Sequence, residues 1–123
     1  TFDFHVMIDR DPAARPHPGT EVAVRRYIAA MAAGAPNYVD MTPDFAGAAY
    51  RAIPVARYYL HRWGDFRSIT FLGRDEGDLD VYRVRFARGW SDWRISALSD
   101  GKVWNMRFWG VSTGPLSTWQ GRK

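Results

Sequence analysis

The chain has 123 residues, enough for one hydrophobic core and too few for two. A composition that is 46% hydrophobic, with six Trp, six Tyr and seven Phe, excludes a disordered chain, because such side chains supply the burial that offsets backbone entropy. The net charge of +4 comes mostly from arginines scattered among thirteen acids, so there is no basic run to mark a nucleic-acid footprint, and the absence of cysteine excludes disulfides, thiolate nucleophiles and Cys-ligated metals in any redox compartment.

No apolar run approaches the roughly 18 residues of a membrane span and no signal peptide is recognisable, so no membrane partner is expected. The chain starts at Thr1 without Met, as a processed product or a piece of something longer would. In "FDFHVMID", Phe2, Phe4, Val6 and Ile8 alternate with Asp3, His5, Met7 and Asp9, which predicts a strand with one face buried. "RDPAARPHPG" breaks that pattern with three prolines and a glycine and reads as a linker, so residues 1–18 are taken as strand plus Pro-rich linker and 19–123 as the domain proper.

A helix is predicted from Thr20 as N-cap, with Glu21 in the first turn and Val24, Tyr27, Ile28 and Met31 as its apolar stripe, ended by Gly34 and Pro36. A second helical region opens at "TPDF", where Thr42 caps, Pro43 suits the first helical position and Asp44 suits the dipole. Pro54 removes a backbone donor, which predicts two pieces, Pro43 to Arg51 and Pro54 to Trp63, with Ile53, Ala56, Leu60 and Trp63 facing inward.

From Arg67 the period becomes two, with hairpin turns predicted at Glu76-Gly77, Arg88-Gly89 and Asp100-Gly101. These turns put Phe71 opposite Tyr82 and Ile69 opposite Val84, then Tyr82 opposite Ile95 and Val84 opposite Trp93, then Ile95 opposite Met106 and Trp93 opposite Phe108. All lie on one face together with Phe86. The other face receives Thr70, Arg83, Arg94 and Arg107 in a row, with Arg85 opposite Asp92 and Trp109 at the edge. The stretch "RVRFARGWSDWR" therefore interleaves arginines and tryptophans in sequence and not in space.

A helix, two further helical pieces and a four-stranded meander predict an α+β fold. "GTEVAVRRYIAAMAAGAPNYVDMTP", "SITFLG", "DVYRVRFARGWSDWRI" and "SDGKVWNMRFW" resemble a bacterial accessory domain of the nuclear-transport-factor-2-like superfamily, found with serine hydrolases of the β-lactamase-related and α/β-hydrolase types. The likeness runs from about Gly19 to Trp109. It implies N-terminal helices packed on a curved, cone-shaped, cystatin-like sheet and a hydrolase domain in the same parent protein as partner. It implies no catalytic residues.

Enzymes of that superfamily set an Asp or His base and a Tyr or Asp donor in the cone, where burial moves their pKa toward neutrality. On the core-facing sheet positions above no acid is found, and Tyr27, Tyr58, Tyr59 or Asp40 would have to supply polar atoms from helix or loop. The pocket is therefore expected to hold a small apolar ligand between Tyr58, Tyr82, Trp93 and Phe108, with no catalytic residue and no cofactor. The plain alternative keeps these aromatics as core. His5, His17 and His61 lack metal-site spacing, and Ser91 lacks the strand-turn-helix setting of a nucleophile elbow.

Arg83, Arg94 and Arg107 place like charges about 5 Å apart. With Trp109 they are read as a face for an anion or an acidic partner, including a second copy of the chain joined through the sheet. The alternative is a solvated face with splayed guanidinium groups. Three functions remain: a non-catalytic accessory or binding domain, a small-molecule enzyme or carrier of isomerase-like or hydrolase-like kind, and, least favoured for want of a stacking platform, a nucleic-acid-binding module.

Overall fold

The computed structural model describes residues 8–9 and 14–112, with side chains over 14–108. Its elements are β1 (Ile8–Asp9), α1 (Thr20–Ala32), α2 (Pro43–Trp63), β2 (Phe66–Asp75), β3 (Asp80–Phe86), β4 (Gly89–Ile95) and β5 (Met106–Ser112). The strands form one antiparallel sheet in sequence order, with the two helices packed on one face. The architecture is α+β, as the periodicities predict. The part of the opening strand from Phe2 to Met7 lies outside the described residues, while Ile8 and Asp9 pair with Asp75 and Arg74. No described helix is long and apolar enough to cross a membrane.

Helix α1 buries Val24, Tyr27, Ile28 and Met31, the stripe read from the sequence. Its start differs by one residue. Gly19, at φ 80°, takes the N-cap position, and Thr20 is the first helical residue, with its side chain turned onto the sheet. Glycine suits the cap here because the conformation is left-handed, and an added Cβ would lie 3.0 Å from Leu98 Cδ1.

Helix α2 begins as expected: Thr42 Oγ1 accepts from the Phe45 N–H, Pro43 opens the helix and Asp44 lies in the first turn. It is, however, one helix of 21 residues and not two pieces. Pro54 costs the hydrogen bond to the carbonyl of Tyr50, but both residues lie on the solvent face, where water replaces the lost donor. The buried stripe of Ala56, Leu60 and Trp63, with Ile53 partly buried, holds the helix continuous across the proline.

Strand pairing follows the expected parity throughout and the expected register in two places of three. Ile69 pairs with Val84 and Phe71 with Tyr82; Ile95 pairs with Met106 and Trp93 with Phe108. Between β3 and β4 the register moves by two residues, so that Tyr82 faces Trp93 and Val84 faces Ser91. The turn there is Ala87-Arg88, closed by Phe86 opposite Gly89.

A tertiary contact selects it. The Ala87 N–H donates to the Asp65 carbonyl, the Arg88 N–H to the Trp63 carbonyl, and the Arg88 guanidinium to the carbonyls of His61 and Arg62 at the end of α2. The turn thus caps a helix whose last carbonyls have no partner within the helix. Because the shift is two residues, no side chain changes face.

The first turn is longer than two residues. Asp75 Oδ1 accepts from the N–H groups of Gly77 and Leu79, Asp78 sits at φ 66°, and a bulge at Gly73 restores the inner register. The third turn is as predicted, with Asp100 and Gly101 both at positive φ and Ser99 bridged to Lys102.

Candidate functional site

The inward face of the sheet, the facing side of α2 and Tyr27 of α1 line an open aromatic pocket of about 430 Å³. Trp93 and Phe108 stack at 4.5 Å, Tyr59 meets Phe108 edge-on at 6.2 Å, and Tyr27 meets Trp93 at 5.8 Å. Phe45, Met106, Val55 and the small residues Ala48, Ala49 and Ala52 of α2 also line it, together with the exposed Arg107. The three alanines leave space on a side of α2 that otherwise carries Phe45, Val55 and Tyr59. Among the described residues no acid lines the pocket.

Of the four residues expected to line such a pocket, Trp93 and Phe108 do so and Tyr58 and Tyr82 do not. Tyr58 is 56% exposed, with the Arg62 guanidinium 5.7 Å over its ring. One residue along a helix is about 100° of rotation, so the buried phase of Ala56, Leu60 and Trp63 brings Tyr59 toward the pocket and turns Tyr58 away. Tyr82 faces inward directly opposite Trp93, but it is fully buried on the neighbouring strand, against Phe71, and does not reach the lining.

Tyr82 belongs to a second constellation that the sequence reading missed. Asp80 lies two residues before it on β3, on the same inward face, and is fully buried. Alternation was the available signal: it had to be extended by one more residue pair toward the turn.

Asp80 Oδ2 accepts from the His17 N–H at 2.7 Å and from Thr20 Oγ1 at 2.6 Å, and Arg74 Nε approaches Oδ1 at 3.4 Å. Thr20 has a single hydroxyl proton. The carboxylate is the stronger acceptor and takes it in preference to the His17 carbonyl at 3.0 Å, so Thr20 Oγ1 accepts from the Tyr82 hydroxyl at 2.8 Å. Burial pushes the Tyr82 phenol up to about 12, with the charges of Asp80 and Glu21 adding to the rise. Burial, then Tyr38, raises Tyr27 to about 12 as well. These phenols are donors at neutral pH and not bases.

The outward face also differs from expectation. Arg83 lies opposite Asp92, not opposite Arg94, and holds it bidentately at 2.7 and 2.8 Å. The register shift is the reason: it replaces the expected Arg85–Asp92 pair by Arg83–Asp92 and sets Arg85 opposite Trp90. Arg83 also covers the Trp90 ring at 4.4 Å. Arg94 lies opposite Arg107 as predicted, but it is only 4% exposed and donates to Asp75 Oδ2 at 2.8 Å. Acids of the same chain therefore answer Arg83 and Arg94. Trp109 pairs through its backbone with Asp92, and its side chain lies outside the described residues.

Ser91 is buried and accepts from Trp93 Nε1 at 2.7 Å, which leaves it inside the sheet and away from any turn to a helix. Among the described residues no three His, Asp or Glu side chains gather as metal ligands. Comparison with known proteins returns no match to a family model, a curated protein or a solved structure.

Proposed function

We propose that this chain is a non-catalytic binding domain of nuclear-transport-factor-2-like, cystatin-like type that serves a bacterial serine hydrolase and holds a small apolar ligand in its aromatic pocket. The observation that carries this reading is the chemistry of the pocket lining. Among the described residues the pocket has aromatic walls and no acid, whereas the inward-facing carboxylate and phenol, Asp80 and Tyr82, lie outside its lining and bond to Thr20. General acid–base chemistry needs a titratable group within hydrogen-bond reach of substrate, and the groups suited to it here are engaged in joining the start of α1 to the sheet. The hydrolase partner rests on the resemblance of Gly19 to Trp109.

The second reading, a small-molecule enzyme or carrier, draws on that same Asp80–Thr20–Tyr82 chain, since a carboxylate and a phenol are the pair such enzymes use. It requires ligand to reach Asp80.

Quenching of tryptophan fluorescence by 1-naphthol, a neutral aromatic, tests the pocket. Saturable binding is expected for the unaltered chain and its loss for Ala52→Phe, which fills the space opposite Trp93 and Phe108. Absence of binding, or binding indifferent to Ala52→Phe, refutes the pocket. Sensitivity to Asp80→Asn with no effect of Ala52→Phe moves the site to the second reading. A serine hydrolase domain in the surrounding reading frame is the result expected for the accessory role, and a stand-alone frame overturns that part.

A further inference from the structure

On the opposite side of the helices from the aromatic pocket, a cleft of about 760 Å³ opens between α1, the end of α2, the start of β2 and the Ala87-Arg88 turn. Its floor is apolar, with Ile28, Met31, Leu60 and Phe86 all buried. Its walls carry four guanidinium groups, each from a different segment: Arg25 on α1, Arg57 on α2, Arg67 on β2 and Arg88 in the turn. His61 adds a fifth nitrogen side chain, and among the described residues Asp65 is the one acid in the lining.

These cations are not equally occupied. Arg25 bonds Glu21 at 3.0 Å and lies 5.2 Å over the Phe66 ring, and Arg88 is engaged with the helix-end carbonyls. Arg57 and Arg67 have no hydrogen bond or ion pair among the described residues, and Asp65 forms no ion pair with any of the four. The cleft remains net positive after Glu21 and Asp65 are counted. Arginines brought from four segments to one concavity repel one another, and a fold tolerates this at the surface at little cost only while water screens them. A carboxylate or phosphate relieves the repulsion through charge-assisted bonds.

We infer that this cleft is a binding site for a small amphiphilic anion, whose carboxylate or phosphate head is held by Arg57 and Arg67 and whose apolar body lies on Ile28, Met31, Leu60 and Phe86. The volume falls in the range of small-molecule sites, and an apolar floor with a few convergent charges is the pattern such ligands require. The site is separate from the aromatic pocket and stands independently of it.

Isothermal titration with decanoate, decan-1-ol and inorganic phosphate tests the inference. Decanoate is expected to bind saturably, with decan-1-ol and phosphate alone each weaker by about tenfold or more, since each lacks one half of the recognition. Arg57→Ala combined with Arg67→Ala should weaken decanoate by at least about tenfold, and raising salt from about 0.05 to about 0.5 M should weaken it further. Both arginines are exposed and have no hydrogen bond or ion pair among the described residues, so circular dichroism should report an intact fold. The Lys versions, which keep the charge, provide a second variant and should retain most of the affinity. Decanoate binding that survives the alanine variant, equals that of decan-1-ol, is abolished by Ala52→Phe, or is absent altogether overturns the inference.

Discussion

Replacing Asp80 by Asn removes one charge from a fully buried position while keeping the shape of the side chain. The amide oxygen can still accept from the His17 N–H and the Thr20 hydroxyl, but both bonds lose charge assistance, at about 0.5 to 1.5 kcal/mol each. Its NH2 then points a donor at the Arg74 donor, adding roughly 1 kcal/mol. The expected loss is about 2 to 4 kcal/mol, a fall in Tm of roughly 10 to 20 °C for a domain of this size.

Urea unfolding followed by tryptophan fluorescence measures it, with the m-value unchanged if only the native state is affected. Thr20→Val in both backgrounds completes a double-mutant cycle, and because the Thr20 hydroxyl donates to Asp80 the two losses should fall short of additive by about 1 kcal/mol or more. A loss below about 0.5 kcal/mol, or strict additivity, would refute the assignment of this chain of bonds as the joint between α1 and the sheet.

Three further outcomes follow from the same geometry. Tyr27 and Tyr82 titrate near 12 when folded against about 10 when unfolded, so the unfolded chain loses these protons first. Stability should therefore hold below pH 10 and fall by about 3 kcal/mol per phenol as pH rises through 10 and past 12, and urea midpoints across that range should show a shallower decline for Tyr82→Phe. Asp92→Ala leaves Arg83 without its bidentate acceptor and should cost about 3 to 5 kcal/mol, while Arg85→Ala, on an exposed side chain, should stay within about 0.5; equal costs in thermal unfolding would contradict the observed register. Pro54→Ala restores the donor to Tyr50 in mid-helix and should stabilise by about 1 to 2 kcal/mol, the helix gain being partly offset by a freer unfolded chain; a destabilised variant would mean that the proline ring makes a contact worth more than the bond.

Much of this architecture was legible because its causes are local. Thr42-Pro43-Asp44 contains the whole chemistry of a helix start, Asp100-Gly101 is the dipeptide that accepts two positive φ angles, and strict alternation assigned Tyr82, Val84, Trp93 and Ile95 to one face. Half of the aromatic pocket, Trp93 and Phe108, followed from that alternation. The other half did not, because whether Tyr58 or Tyr59 turns inward depends on the phase at which α2 docks.

What the sequence by itself determined is parity, since each side chain's face depends only on its neighbours along the strand. What only the tertiary structure decided is register and pairing. The choice of Ala87-Arg88 over Arg88-Gly89 was made by carbonyls at the end of a helix more than twenty residues away, and with it the identity of the arginine that meets Asp92. The four-arginine cleft is likewise invisible along the chain, because Arg25, Arg57, Arg67 and Arg88 become neighbours only when the turn caps α2 and both helices lie down on the sheet. Charges separated by that much chain have no local signature, and only the packing of the elements that carry them brings their fields together.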